Sequence, residues 1–378
     1  MDTLLSTSVA ETSQASEIVW PDFPVALKEA VGVRLGNKLF AGLGTAGAAW
    51  FALDVTAKTK VWQPRAEFPF PARNGAAAAA AADGKIYVFG GAGRSTSESC
   101  LHQFDSIACY DPVNDFWTEL SVALPVGMLG ASAASATSVG SSIYLFGGYS
   151  KPQFDQFFQD YEGASQEQQP SILHAYMDRM AGDFAWNDHV WEFNTIDHSW
   201  RDLGHVPHAP NCGSGIIVDG SEILLASGEI KPGLRSISVK HASIQNGDVI
   251  WRAERNLPTL DRPQEGIAAS FSGKCGKVRM LAGGTNFEGA RQHYDSGKKY
   301  AHQGLHKLWR DEIYVLRNEI WELAGRLPYG RATGLTFEIE DGLLLVGGDT
   351  QNGESCLPTW LLSYNESSGI TIHSNKLR

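Results

Sequence analysis

Four apolar runs in this chain stop on paired glycines: "IYVFGG" at Gly91, "IYLFGG" at Gly148, "RMLAGG" at Gly284 and "LLLVGG" at Gly348. Glycine tolerates backbone conformations closed to other residues, so a pair recurring at the end of a strand marks a repeated turn. Around each pair the order is the same. A small or apolar stretch meets a turn such as "ADGK", "VGSS" or "EDGL", and the apolar run comes next. After the glycines come a polar loop, an alternating strand ("SIACYD", "HVWEFN", "EIYVLR") and a last strand centred on Trp117, Trp200, Trp251 or Trp321. A chain built this way folds by stacking copies of one β unit, because no single copy buries its own apolar face.

Four short strands per copy, Gly-Gly after the second and Trp in the fourth, is the pattern of a kelch blade. The anchors lie roughly 50–80 residues apart, against about 50 for kelch repeats. "NKLFAGLG", with "AAWFALD" and "KVWQPR" after it, is a divergent copy that brings the number to six. The expected fold class is therefore all-β, a six-bladed kelch β-propeller, which leaves no long sheet edge exposed. "NGAAAAAA" from Asn74 fits an inner strand, where blades crowd and alanine takes little room. The expected layout is a disordered tail over 1–17 and a single propeller over 18–378, with long loop insertions near 149–189 and 285–310. One terminus is expected to lend a strand to the other and close the ring.

Composition removes some functions. A net charge of −11 lacks the basic surface that phosphate backbones need, so no nucleic-acid partner is expected. The five cysteines are dispersed without C-x-x-C spacing and read as free thiols, and no metal-ligand spacing is present. No metal and no cofactor is expected. No run is long enough to span a membrane, so no membrane partner is expected, and a homo-oligomer stays open. The sequence as it stands reads as cytoplasmic, or as periplasmic where a signal peptide has been lost.

The fifth run breaks the rule. "ILLASGEIKPGLRS" carries Glu229 at the second glycine or just after it, with Arg235 six residues on. In an antiparallel blade the second-to-third-strand loops and the blade-to-blade connections share one face, and both insertions lie there too. Glu229 is either a surface acid paired with Lys231 or a general base projecting into the central cup. Pro232 and Gly233 can turn Arg235 back toward the same cavity, where a guanidinium suits a planar carboxylate. Arg73 in "FPARNG" and Arg331 in "PYGRATG" either bind ligand or brace neighbouring blades. Asn286, Arg291, Tyr300 and His302 in the second insertion can grip a polyhydroxylated ligand or form a solvated loop. Trp50 can stack on a sugar or pack in the core.

"GLGTAGAAWFALD", "GEIKPGLRS", "GGTNFEGARQHYDSGKKYAHQGL" and "GRATGL" together resemble the bacterial N-acetylneuraminate epimerase (sialic acid mutarotase) family of kelch propellers. The likeness runs in order from about Val31 to the final blade. It implies an isomerase that interconverts the α and β anomers of sialic acid, with Glu229 as proton acceptor and Arg235 in the same site. Sialic acid is then the small-molecule partner, its carboxylate held by Arg235 with help from Arg331 or Arg73. Well-known members act in the periplasm. The alternative is a non-catalytic kelch module that binds a protein on the same face. A sialidase would repeat S-x-D-x-G-x-T-W boxes, which are absent, and no copper-oxidase arrangement of Tyr, His and Cys is recognisable.

Overall fold

In the computed structural model, residues 20–126, 128 and 134–374 are described; the expected tail over 1–17 lies outside them. The described chain forms six four-stranded antiparallel sheets, each taken from one continuous segment. Their first strands are Val31–Leu35, Ala77–Ala80, Ser135–Val139, Gly215–Asp219, Phe271–Cys275 and Leu335–Ile339. "AAAA" is a strand despite its helical propensity, pairing Ala77 with Phe89 through Ala80 with Ile86. Tertiary crowding overrides local preference there.

Each second strand is mostly apolar and ends in a buried apolar run because the sheet is covered on both faces. Ile86, Val88 and Phe40 fill the core between the first and second sheets, while Tyr87 and Phe89 fill the one between the second and third. Similar cores join the third to the fourth, the fourth to the fifth and the fifth to the sixth sheet. A further core joins Phe337, Leu344 and Val346 of the sixth sheet to Leu39, Ala41 and Leu53 of the first. The first strands contact one another in the same order, and Leu335–Ile339 lies against Val31–Leu35.

The N-terminal stretch expected to lend a strand to the other end, 17–20, lies outside the described residues except for Trp20. Among the described residues, the sixth sheet is completed by its own Gly369–His373, and the segment before Val31 is not a strand. That segment instead packs Trp20, Phe23 and Leu27 into the core shared by the first and sixth sheets. Its backbone is tied by bonds from Phe23 N to Leu357 O at 3.3 Å and from Gly348 N to Leu27 O at 2.5 Å. Pro21 and Pro24 explain why it links the ends through side chains and scattered bonds rather than a ladder.

The glycine pairs take left-handed backbone at both positions: φ is +59° and +85° at Gly90 and Gly91, +66° and +110° at Gly147 and Gly148. They also sit against neighbouring backbone. A Cβ on Gly147 would lie 1.9 Å from the carbonyl oxygen of Asn211, whereas one on Gly140, a hairpin glycine at φ +61°, would meet nothing within 4 Å. Gly140→Ala should therefore cost only the left-handed penalty, about 1–2 kcal/mol. Gly147→Ala adds a backbone clash and should cost about 3 kcal/mol or more. Paired denaturation curves of the two variants check the difference, and equal losses would contradict the packing argument.

Candidate functional site

The exception in the repeat keeps the turn and changes the residue after it. Ser227 and Gly228 occupy the glycine-pair positions, at φ +57° and +89°. Glu229 comes directly after the pair, equivalent to Ala92, Tyr149, Thr285 and Asp349 in other sheets. Ser227 is held in its left-handed conformation by its own hydroxyl, which donates to Ser236 O at 2.5 Å and accepts from Ile267 N at 2.7 Å. Two bonds of this kind offset a conformational cost of about 1–2 kcal/mol.

Glu229–Lys231 then pairs with Leu234–Arg235 in a tight hairpin whose register sets Glu229 opposite Arg235. Cross-strand partners project on one face, so acid and base meet. Arg235 Nη1 lies 2.8 Å from Glu229 Oε1, with the two side chains 5% and 15% exposed. The turn depends on Gly233 at φ +81°, against which the His302 ring packs so closely that a Cβ would lie 1.7 Å from His302 Nδ1.

Neighbouring sheets complete the surroundings through the same register position. Tyr149 donates its hydroxyl to Glu229 Oε2 at 3.1 Å, and Gly233 N donates to Oε1 at 3.3 Å. Burial, reinforced by the Glu229 charge, holds the Tyr149 phenol well above its ordinary value, so it stays a donor. Arg235 donates Nε to Thr285 O at 3.2 Å and Nη2 to Thr285 Oγ1 at 3.4 Å, and lies 5.0 Å from the Phe287 ring centre. Burial, then the nearby Arg235 charge, pushes the His302 imidazole below its ordinary range. The result is a carboxylate accepting from two donors, beside a guanidinium fixed by its neighbour's backbone. That arrangement can take a proton from a hydroxyl while a cation sits next to it.

Three comparisons bear on what such a site belongs to. A family model described as N-acetylneuraminate epimerase matches residues 20–372. The chain belongs to the N-acetylneuraminate epimerase family. It is 39% identical to the N-acetylneuraminate epimerase of Brucella melitensis biotype 1 over 92% of this chain and 90% of that one. It is 37% identical to the N-acetylneuraminate epimerase of Vibrio cholerae serotype O1, over 97% and 96% of the two chains. The solved structure of YjhT superposes with a TM-score of 0.87 at 30% identity, covering 93% of this chain and 99% of its own.

In this family member the expected site residues divide. Glu229, Arg235 and His302 come together, and Tyr300 stacks edge-on to His302 at 4.9 Å between ring centres. Arg291 instead holds the hairpin: its Nη2 donates to Arg235 O and its backbone N to Glu265 Oε2. Asn286 is buried and donates to Gly266 O at 2.9 Å. Arg73 and Arg331 take the bracing arrangement of the two left open. Arg73 donates to Gly90 O and Ser106 Oγ between the rings of Phe68 and Phe104, and Arg331 donates to Gly347 O and Pro358 O over Trp360. Both are fully buried braces that catch the carbonyl of the first glycine in a pair. Trp50, 1% exposed, is core.

Tyr149, Thr285 and Lys231 belong to the site without having stood out in the sequence. The first two were findable as the residues directly after a glycine pair, like Glu229. Lys231 is not a surface partner of Glu229. It is fully buried, and its ammonium donates to the carbonyls of Met177, Arg179 and Lys299. It thereby pins both insertions to the hairpin: the first with α1 (Lys151–Gly163) and α2 (Gln169–Met177), the second with α3 (Ala290–Asp295). Burial pulls this ammonium down to about 8. Below that value the folded and unfolded chains both carry the proton. Between about 8 and the ordinary 10.5 the unfolded chain alone binds it, so Lys231 adds stability as pH rises through that window. The unfolding free energy of wild type relative to Lys231→Met should therefore grow from pH 7.5 to pH 9.5 in urea titrations, and a flat difference would contradict it.

Proposed function

We propose that this chain interconverts the α and β anomers of N-acetylneuraminate, on the upper face of a closed six-bladed kelch propeller. The ring reading is supported by the sequence of shared cores and by the contact of the sixth first strand with the first. The observation that carries the chemistry is the 2.8 Å spacing of Arg235 and Glu229. A 2-keto sugar acid in its ring form bears a carboxylate and a hydroxyl on the same anomeric carbon. A cation and a base held side by side match that pair.

Glu229 takes the proton of the anomeric hydroxyl as the bond from the anomeric carbon to the ring oxygen breaks. The ring oxygen leaves with a proton from water or a neighbouring acid, giving the open ketone. Rotation about the adjoining carbon bond presents the other carbonyl face, the same hydroxyl attacks it, and both protons return. Arg235 holds the sugar carboxylate through this cycle, and Tyr149 keeps the Glu229 side chain aimed. Within this reading Asn286, Arg291, Tyr300 and His302 build and line the site rather than react. Arg73 and Arg331 act at a distance, as braces. No helix among the described residues is long and apolar enough to cross a membrane.

Time-resolved proton NMR on freshly released α-sialic acid tests the proposal. Glu229→Gln should slow enzymatic mutarotation by about 10²–10⁴-fold, while Tyr149→Phe, which loses one hydrogen bond, should cost about tenfold. Arg235→Lys keeps the charge but not the fork and should raise KM more than it lowers kcat. Full acceleration in Glu229→Gln would remove Glu229 as the base. No acceleration over buffer by wild type would favour the non-catalytic interaction module.

A further inference from the structure

We propose that Asp188, His189 and His205 form a binding site for a divalent transition-metal ion of the Zn²⁺ class, on the outer edge of the third sheet. Their ligand atoms all lie within 4.8 Å of one another. His205 Nδ1 is 3.1 Å from Asp188 Oδ2, and His189 Nε2 is 3.9 Å from Asp188 Oδ1. Ligands about 2.0–2.2 Å from a tetrahedral ion stand roughly 3.3 Å apart, between these two spacings. Two imidazoles and a carboxylate are a donor set that favours zinc-like ions over magnesium or calcium, which prefer oxygen throughout.

The strongest mark of a built site is behind the ligands. Asp202 Oδ1 lies 2.7 Å from His189 Nδ1 and also accepts from Gly204 N at 2.8 Å. A carboxylate on one ring nitrogen fixes the tautomer and leaves Nε2 as a lone-pair donor, here on the side of Asp188. The backbone arranges this through a bulge. Trp191 pairs with Asp202, so regular register would set His189 opposite Gly204, yet it pairs with His205. Gly204, at φ +88°, is the extra residue that brings His205 round. The two imidazole centres end 3.9 Å apart.

The ligands join the start of the third strand, where the first insertion rejoins the sheet, to the end of the fourth. A bound ion would clamp that corner. His205 and Asp188 remain exposed, 71% and 49% at the side chain, so the fourth position is open to water and exchange is fast. The sequence hides the site because its ligands become neighbours only through strand pairing and the bulge.

Calorimetric titration of the untagged full chain with ZnCl₂ should show one ion per chain at micromolar affinity, with Co²⁺ giving the visible bands of a tetrahedral complex. His205→Ala and Asp188→Asn should each weaken binding tenfold or more. Asp202→Asn keeps all three ligands but loses the orienting carboxylate, and should weaken it about 10–100-fold. Circular dichroism checks that the variants fold, and metal-free His205→Ala should retain wild-type mutarotation. Wild type without saturable binding, or binding of equal strength in His205→Ala and Asp188→Asn, would overturn the proposal. An unchanged Asp202→Asn would overturn the orienting role.

Discussion

The left-handed pair at the end of each second strand is the constraint on which the rest depends. It throws the chain out of the ladder, so the carbonyl of its first residue can no longer bond within the sheet. A buried carbonyl must find another donor. Arg73 supplies it at Gly90, Asn187 at Gly147, Asn211 and Lys240 at Ser227, and Arg331 at Gly347. Several of these donors come from the segment that leads into a first strand, so one requirement both ends a strand and locks connections in place. The next residue inherits a fixed position on the face where the insertions gather.

That inheritance explains how a buried ion pair is tolerated. Taking Glu229 and Arg235 out of water costs several kcal/mol per ion unless further bonds complete them. Here Tyr149 and Thr285, both at the corresponding position of adjacent sheets, provide those bonds, with Gly233 N from the hairpin itself. Lys231 and Arg291 add no reacting group, but they grip the hairpin from its other side through backbone carbonyls. The head groups therefore face each other on a framework that three sheets and both insertions determine.

Much of this is written locally in the chain. The glycine pairs, the Trp strands and the alanine run state the β copies, and Glu229 stands out because its run ends on Ser-Gly where four others end on Gly-Gly. Pro232-Gly233 states the turn that brings Arg235 back. What is not local is not legible. Whether Arg73 and Arg331 face a cavity or a carbonyl depends on segments distant in sequence, and burial decides it for the carbonyl. Lys231 looks like a surface residue until both insertions fold over it. The helices of the first insertion are obscured by weak amphipathicity. The likeness to a family supplied the reaction, which no spacing in the chain states.

Ser227 shows where the repeat yields to the site. Every other clear copy puts glycine there, where a left-handed backbone costs nothing. A serine costs about 1–2 kcal/mol and returns it through a hydroxyl that ties its own loop at Ser236 to the next sheet at Ile267. The sheet that carries the charged hairpin is thus the one whose turn is cross-linked rather than merely permitted. A glycine would keep the turn and lose both bonds, leaving the segment before Glu229 less firmly held. The serine hydroxyl thus fixes the segment directly before Glu229, at a strained position that its two bonds offset.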